Sequence, residues 1–276
     1  MNENSFNQIK LNNNNEFGVN KLINKPWADK CACLPNEFIR GWLFSVCKPN
    51  ERMKLNDHVV YDSDGVYPSS IVFTGEQLCQ NDLDVMMMAY HYCRDKRLSD
   101  NVEVKISKFC KDLKWLIKSG KKEKIYQALT RLSKAKIKGY ISRKLTDKNY
   151  KIEFEFNLIQ NLYFDEVNKS VSFNLNEKMK FFFLSNVTRI QREDREKLER
   201  CKLSKWLHLF FSSHKINNKY KYKVATLKSL CGSKNKDFYS FRQKLGQVCF
   251  SLEKYGLHLV SIDKDNKVIR KSKDSL

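Results

Sequence analysis

The stretch Ile106–Ile141, ISKFCKDLKWLIKSGKKEKIYQALTRLSKAKIKGYI, decides how the rest of the chain is read. It reads as two helices joined by a tight turn, followed by the start of a strand. Ser107 is placed to cap a short helix carrying Phe109, Leu113 and Trp115. Ser119-Gly120 then breaks the pattern, since glycine beside a capping hydroxyl favours one helix stopping and another starting. The second helix sets Ile125, Leu129, Leu132 and Lys136 on one face at helical spacing. Its other faces carry Lys124, Gln127, Thr130, Arg131 and Lys134, donors suited to base edges and phosphates. The same residues fit an ordinary two-helix corner with a solvated basic face, and this stretch alone does not separate the two.

Composition narrows the choice. The 276 residues can hold two domains, and a 41% hydrophobic share supplies real cores. The net charge of +21 opposes compaction, so a polyanionic partner is its economical explanation. No apolar run approaches the length that spans a bilayer, and the N-terminus lacks a basic-then-apolar signal. Nucleic acid is therefore favoured over membrane. The nine cysteines are scattered and mostly sit in apolar segments, which suits reduced thiols in a cytoplasm rather than a disulfide framework.

In chain order, Met1 to about Lys25 is Asn-rich with little to bury and reads as a disordered arm. Cys31 and Cys33 form a lone C-x-C without a partner pair at metal-site spacing, so no metal is expected. Ile71–Phe73 looks like a strand. Thr74 and Gln77 fit a capping box ahead of a helical stripe of Leu78, Val85, Met88, Ala89 and Tyr92. Met86, Met87 and Met88 read as core filling. Val102–Ile106 alternates as a strand. Tyr140–Leu145 and Tyr150–Phe156 alternate in period two about the turn Asp147-Lys148-Asn149. That hairpin would be a wing carrying Arg143, Lys144, Lys148 and Lys151.

The order then recurs. Leu162–Leu175 adds short strands, and a charged run from Arg189 to Arg200 enters a helix with Leu203, Trp206, Leu207, Phe210 and Phe211. Val224–Cys231 is a short helix ended by Gly232-Ser233. A long helix follows with Phe238, Phe241, Leu245, Val248 and Leu252 inward. At about 100° per residue this turns Lys236, Tyr239, Ser240, Gln243 and Gln247 outward, with Arg242 at the flank and Lys234 just before the helix. Phe250 also points outward, with no role in this reading. Leu257–Ile262 and Lys267–Arg270 make a second hairpin whose wing lysines are Lys264 and Lys267. The fold class expected is α+β: a disordered arm over 1–33, a first winged helix over 34–184 and a second over 185–276.

Three blocks resemble the TrfA-like plasmid replication initiators, relatives of the iteron-binding Rep proteins. The first is Phe73-Thr74-Gly75-Glu76-Gln77-Leu78, continuing through Gln80-Asn81-Asp82 and Asp84-Val85. The second is Leu113-Lys114-Trp115, Ser119-Gly120 and Leu129-Thr130-Arg131-Leu132. The third is Trp206-Leu207-His208, Ser212-Ser213-His214, Leu230-Cys231-Gly232-Ser233 and Phe241-Arg242. Leu34-Pro35-Asn36 with Arg40 and Leu43-Phe44 looks like the family's entry segment. The Asn-rich arm and the high lysine content depart from it. The resemblance implies a protein that binds directly repeated duplex sites at a plasmid origin and helps open an adjacent A+T-rich segment, whose single strands it would also meet. It further implies recruitment of the host initiator and replicative helicase, an active monomer, and an inactive or repressing dimer.

Binding alone serves this reading. No two of the five histidines are separated by a single residue, as a nicking initiator's metal site requires, and no Walker-type loop for ATP occurs. His208 and His214 fit structural or capping roles. No enzyme activity and no cofactor are expected. The rival is a winged-helix transcription regulator on an operator; an architectural DNA-binding protein would leave Gln127, Thr130 and Gln243 unexplained.

Overall fold

The computed structural model describes residues 7–9, 27–115, 121–145, 148–184, 186–198, 201–214 and 221–271. In chain order the first elements are β1 (Asn7–Ile9), β2 (Cys31–Pro35), α1 (Asn36–Ile39), β3 (Phe44–Ser45), β4 (Lys54–Ser63), β5 (Ser69–Glu76) and β6 (Leu78–Cys79). Helix α2 (Gln80–Cys93), β7 (Val102–Lys105), α3 (Ile106–Asp112) and α4 (Lys121–Lys134) follow, then β8 (Lys136–Leu145), β9 (Lys148–Asn157), β10 (Gln160–Asp165) and β11 (Ser170–Asn174). The chain continues through α5 (Lys180–Phe183), β12 (Val187–Gln191), α6 (Arg192–Lys197), α7 (Lys202–Ser212), β13 (Lys221–Lys223), α8 (Val224–Leu230), α9 (Phe238–Lys254), β14 (Leu259–Ile262) and β15 (Lys267–Lys271).

The second unit is the simpler. Leucine and phenylalanine at helical spacing bury α7, α8 and α9 around Trp206, Phe210, Leu227, Phe241, Leu245 and Leu252. Strands β13, β15 and β14 form a three-stranded antiparallel sheet in that order. Helix, strand, two helices and a hairpin that pairs back on the first strand follow the order expected for this unit, an α+β arrangement with a hairpin wing beside a helix pair.

The first unit repeats that order with an insertion. Helix α2, β7, α3 and α4 correspond to α7, β13, α8 and α9, and the sheet β10-β11-β7 corresponds to β14-β15-β13. The correspondence reaches single hydrogen bonds. Ile106 opens α3 and its N–H donates to the carbonyl of Lys169 at 2.9 Å; Val224 opens α8 and donates to Asn266 at 2.9 Å. Both short helices end through a residue with positive φ, Lys114 (52°) and Gly232 (64°). The amide after each reaches back, Trp115 to Cys110 at 2.9 Å and Ser233 to Lys228 at 3.2 Å.

Several expectations are corrected here. The wing of the first unit is β10–β11. The hairpin β8–β9, expected to be that wing, is inserted before it and lies inside a five-stranded sheet of order β1-β9-β8-β5-β4. The period-two pattern marked strands without saying which neighbour they would pair with. The Ser119-Gly120 break lies outside the described residues; the counterpart of Gly232 is Lys114. Lys136 belongs to β8 and is exposed, so it does not continue the inner face of α4. Thr74 is within β5, and the helix it was to cap begins at Gln80, where the Cys79 N–H donates to the Asp82 carboxylate at 2.8 Å. The arm expected over 1–33 is partly structured: Asn7–Ile9 runs parallel to Tyr150–Ile152, β2 starts at Cys31, and Trp27 stacks on Phe183 inside the first core.

The boundary between units also moves. Strand β12 pairs with β2 and puts Ile190 into the first core, whereas Leu198 begins the second, so the division falls near 198 rather than at 184. Polar contacts join the units. Asp84, buried at the start of α2, takes Lys205 Nζ at 2.7 Å and the Arg195 guanidinium. The Trp206 indole donates to the Gly41 carbonyl at 3.2 Å, and the Val46 N–H to Cys231 at 3.0 Å. Gly232 fits there because a Cβ would meet Ser45 Cβ at 2.8 Å.

Candidate nucleic-acid interface

Helix α9 is built to present its N-terminal half. The Asp237 carboxylate caps it, accepting from the amides of Tyr239 (3.1 Å) and Ser240 (2.9 Å). With Phe241, Leu245, Val248 and Leu252 buried, the residues Tyr239, Ser240, Gln243 and Gln247 stand exposed, Tyr239 at 78%. The wing beside it turns at Asp263–Lys267. There the Asp263 carboxylate accepts the Lys267 amide at 2.8 Å, which with Lys221 holds that carboxyl below its usual range. Lys264 is exposed at the wing tip. Exposed amide, hydroxyl and phenol groups on a helix beside a lysine-bearing wing can read base edges and grip phosphate together.

The first unit presents its helix differently. Lys124, Gln127 and Lys134 are exposed on α4, but an open groove of about 720 Å³ separates that face from β4 and β5. Thr130, Arg131 and Lys134 line it from the helix, facing Lys54, Asn56 and Glu76. Gln127 Nε2 donates to Glu123 at 3.0 Å. The helix therefore faces the protein's own hairpin along part of its length.

Residues 7–271 match the TrfA protein family. The chain belongs to that family. A curated relative, the plasmid replication initiator protein TrfA of Escherichia coli, is 23% identical over 236 residues, covering 84% of this chain and 59% of that protein. The chain thus spans about three-fifths of the length of the curated relative it matches. Among solved structures, a crystal structure of domains 2 and 3 of RctB superposes with a TM-score of 0.53 at 14% identity, covering 86% of this chain and 98% of that one. A second RctB structure of the same domains gives 0.50 at 12% identity, over 84% and 96%. At these identities the likeness concerns the fold alone.

In this TrfA-family chain the sixteen expected DNA contacts divide sharply. Lys124, Gln127, Lys134, Lys144, Lys234, Lys236, Tyr239, Gln243 and Lys264 are exposed, and Lys267 is half-buried. Lys234 Nζ also bonds the Glu51 carbonyl, so it bridges the two units. Thr130 is half-buried in the groove. Lys151 lies over the Tyr140 ring at 4.2 Å. The side chain of Lys148 lies outside the described residues.

Three arginines are held by the protein's own side chains, and two of them, Arg143 and Arg131, are turned away from the role expected of them. Arg143 is 1% exposed and pairs with buried Glu37 at 2.8 Å, so it supports the sheet and cannot reach a duplex. Arg131 grips Asp82 through Nε (3.1 Å) and Nη2 (2.8 Å), and Asp82 also takes Arg52 at 2.8 Å. Arg242 donates to the Asn266 side chain, tying α9 to the wing, and also lines the open groove beside Gln243. A lone arginine in a helical pattern carries no sign of whether a carboxylate waits behind it; the partners Glu37, Asp82 and Asn266 are distant in sequence. The wing β10–β11, with exposed Tyr163 and Lys169, was missed because the insertion ahead of it looked more like a wing.

The remaining titratable groups fit a scaffold. Burial pushes His91, His208 and His214 down to about 4, and His208 Nδ1 lies 3.0 Å from His258 Nε2. The nine cysteines are thiols outside any disulfide, and burial lifts Cys93, Cys231 and Cys249 to about 12. Among the described residues no group of three or more His, Cys, Asp or Glu side chains could hold a metal ion. No helix among them is long and apolar enough to cross a membrane.

Proposed function

We propose that this chain initiates plasmid replication by binding directly repeated duplex sites at the origin, with α9 and the wing β14–β15 as its main reader. The observation that carries this is the uncovered row Tyr239, Ser240, Gln243 and Gln247 beside exposed Lys264, in a chain of net charge +21. Family membership and the name of the curated relative support the replication role. Two winged helices joined by buried polar contacts suit one molecule gripping a long site across successive grooves. Binding so arranged would bend or strain neighbouring A+T-rich duplex, offer its single strands, and bring the host initiator and replicative helicase to it. A dimer that withdraws the monomer would repress. The chain's part in this is binding and assembly, with no covalent step.

The test is footprinting of the full chain on the plasmid's origin region. Protection of several direct repeats, each about two helical turns long, beside an A+T-rich tract is expected. Protection of one inverted repeat at a promoter would replace the initiator by the transcription regulator.

A further inference from the structure

Phe250 is 69% exposed on α9, an unusual place for a phenylalanine that no hydrogen-bonded base contact or phosphate grip explains. It lies on nearly the same line of the helix as Gln243. Seven residues make almost two full turns and about 10 Å of rise, or about three base-pair steps of a duplex strand. Between the two lies Gly246. A Cβ built there meets no atom within 4 Å, so the protein's own packing does not require glycine, which a helix interior disfavours. Gly246, Cys249 and Phe250 on the helix and Val260 and Ile262 on β14 line a groove of about 390 Å³. Along the helix, Arg242 and Gln243 stand toward its N-terminal end and Glu253 toward its C-terminal end.

We infer that this groove distinguishes thymine: Gln243 reads an adenine edge, and Phe250, across the notch at Gly246, packs on the C5-methyl of a thymine about three base pairs away. The inference rests on the duplex-reading role given to α9 above. Three features point to it. Glutamine pairs bidentately with adenine, and apolar contact with the methyl group is what marks thymine in the major groove. The missing side chain at Gly246 lets a base edge come close to the helix. Glu253 repels phosphate at its own end of the groove, which turns the sugar–phosphate backbone toward the Arg242 end and leaves Phe250 facing a base edge. The second unit would then prefer A·T pairs within its repeat.

The experiment uses the full chain and duplexes enriched by it from a random library. In each enriched duplex, thymines are replaced one at a time by deoxyuridine, which lacks only the methyl group. Deoxyuridine at one or two positions should weaken the wild-type chain about fourfold, the worth of one buried methyl. Phe250→Ala should bind the unmodified duplex correspondingly less well and lose the methyl effect at those positions alone. Gly246→Leu, which fills the notch, should weaken the enriched duplex more than a scrambled one. Circular dichroism confirms that both variants fold, as expected for exposed Phe250 and for Gly246, where an added Cβ meets no atom within 4 Å. Equal deoxyuridine effects in the wild type and Phe250→Ala, or no sensitive position, would overturn this inference alone. If no duplex is enriched at all, the duplex-reading role of α9 falls, and this inference with it.

Discussion

The two units share one plan and expose it differently. In the second, α9 meets solvent along its outer face and the wing stands beside it. In the first, the inserted hairpin β8–β9 has recruited β4, β5 and β1 into a five-stranded sheet, and α4 looks partly into a groove walled by β4 and β5. The ties between helix and wing differ as well. Tyr126 of α4 packs edge-on against Phe164 of the first wing at 4.8 Å, whereas Arg242 of α9 bonds Asn266 of the second. The equivalent short helices end on Lys114 and Gly232, and only the latter is packed so tightly that a side chain would collide with the other unit. One copy of the motif turns its helix partly toward the protein's own sheet, and the other leaves its outer helix face open.

The largest effect expected from this contrast concerns Arg143, which a true wing would leave exposed. Arg143→Ala strands Glu37 in the core and should cost about 3–5 kcal/mol in urea-induced unfolding. Near-native stability with weaker DNA binding would return β8–β9 to the role of a wing.

Acid should next separate the units. Histidines held at about 4 when folded take up a proton near 6.5 when unfolded, so the unfolded state binds more protons and stability falls as pH drops from about 6.5 towards 4. His208, deeply buried, contributes up to about 1 kcal/mol per pH unit in that window. The second unit holds both His208 and His214, the first only His91. Tryptophan fluorescence, with Trp206 as the second unit's reporter, should show that unit opening first on acidification. Simultaneous loss would mean that the contacts between units dominate.

The smallest effect is the most diagnostic of the wing. Lys264→Ala should weaken binding to enriched and scrambled duplexes alike and make the log–log salt slope shallower by about 0.9. A loss confined to the enriched duplex would make Lys264 a base reader instead.

Much of this was legible beforehand, and the limits follow from physics. The second unit reads through in order because its helices bury strict leucine and phenylalanine stripes and its wing follows α9 directly. The first unit misleads because pairing between distant strands leaves no local mark: Lys136–Leu145 and Lys148–Asn157 alternate as any hairpin would, yet Ser69–Thr74 pairs beside them. Site residues suffered the same way. Exposure of Tyr239 and Gln243 follows from helical periodicity, whereas the carboxylates that claim Arg131 and Arg143 come from far along the chain.

The central claim, that α9 reads bases while the α4 arginine is structural, is tested most directly by one measurement. Gln243→Ala and Arg131→Ala are each titrated with an enriched and a scrambled duplex at two salt concentrations. Gln243→Ala should lower the ratio of the two affinities by about 1–3 kcal/mol at both salts, while Arg131→Ala should leave the ratio within about twofold and lower the unfolding midpoint. An equal or larger fall in the ratio for Arg131→Ala, with unfolding unchanged, would contradict the account.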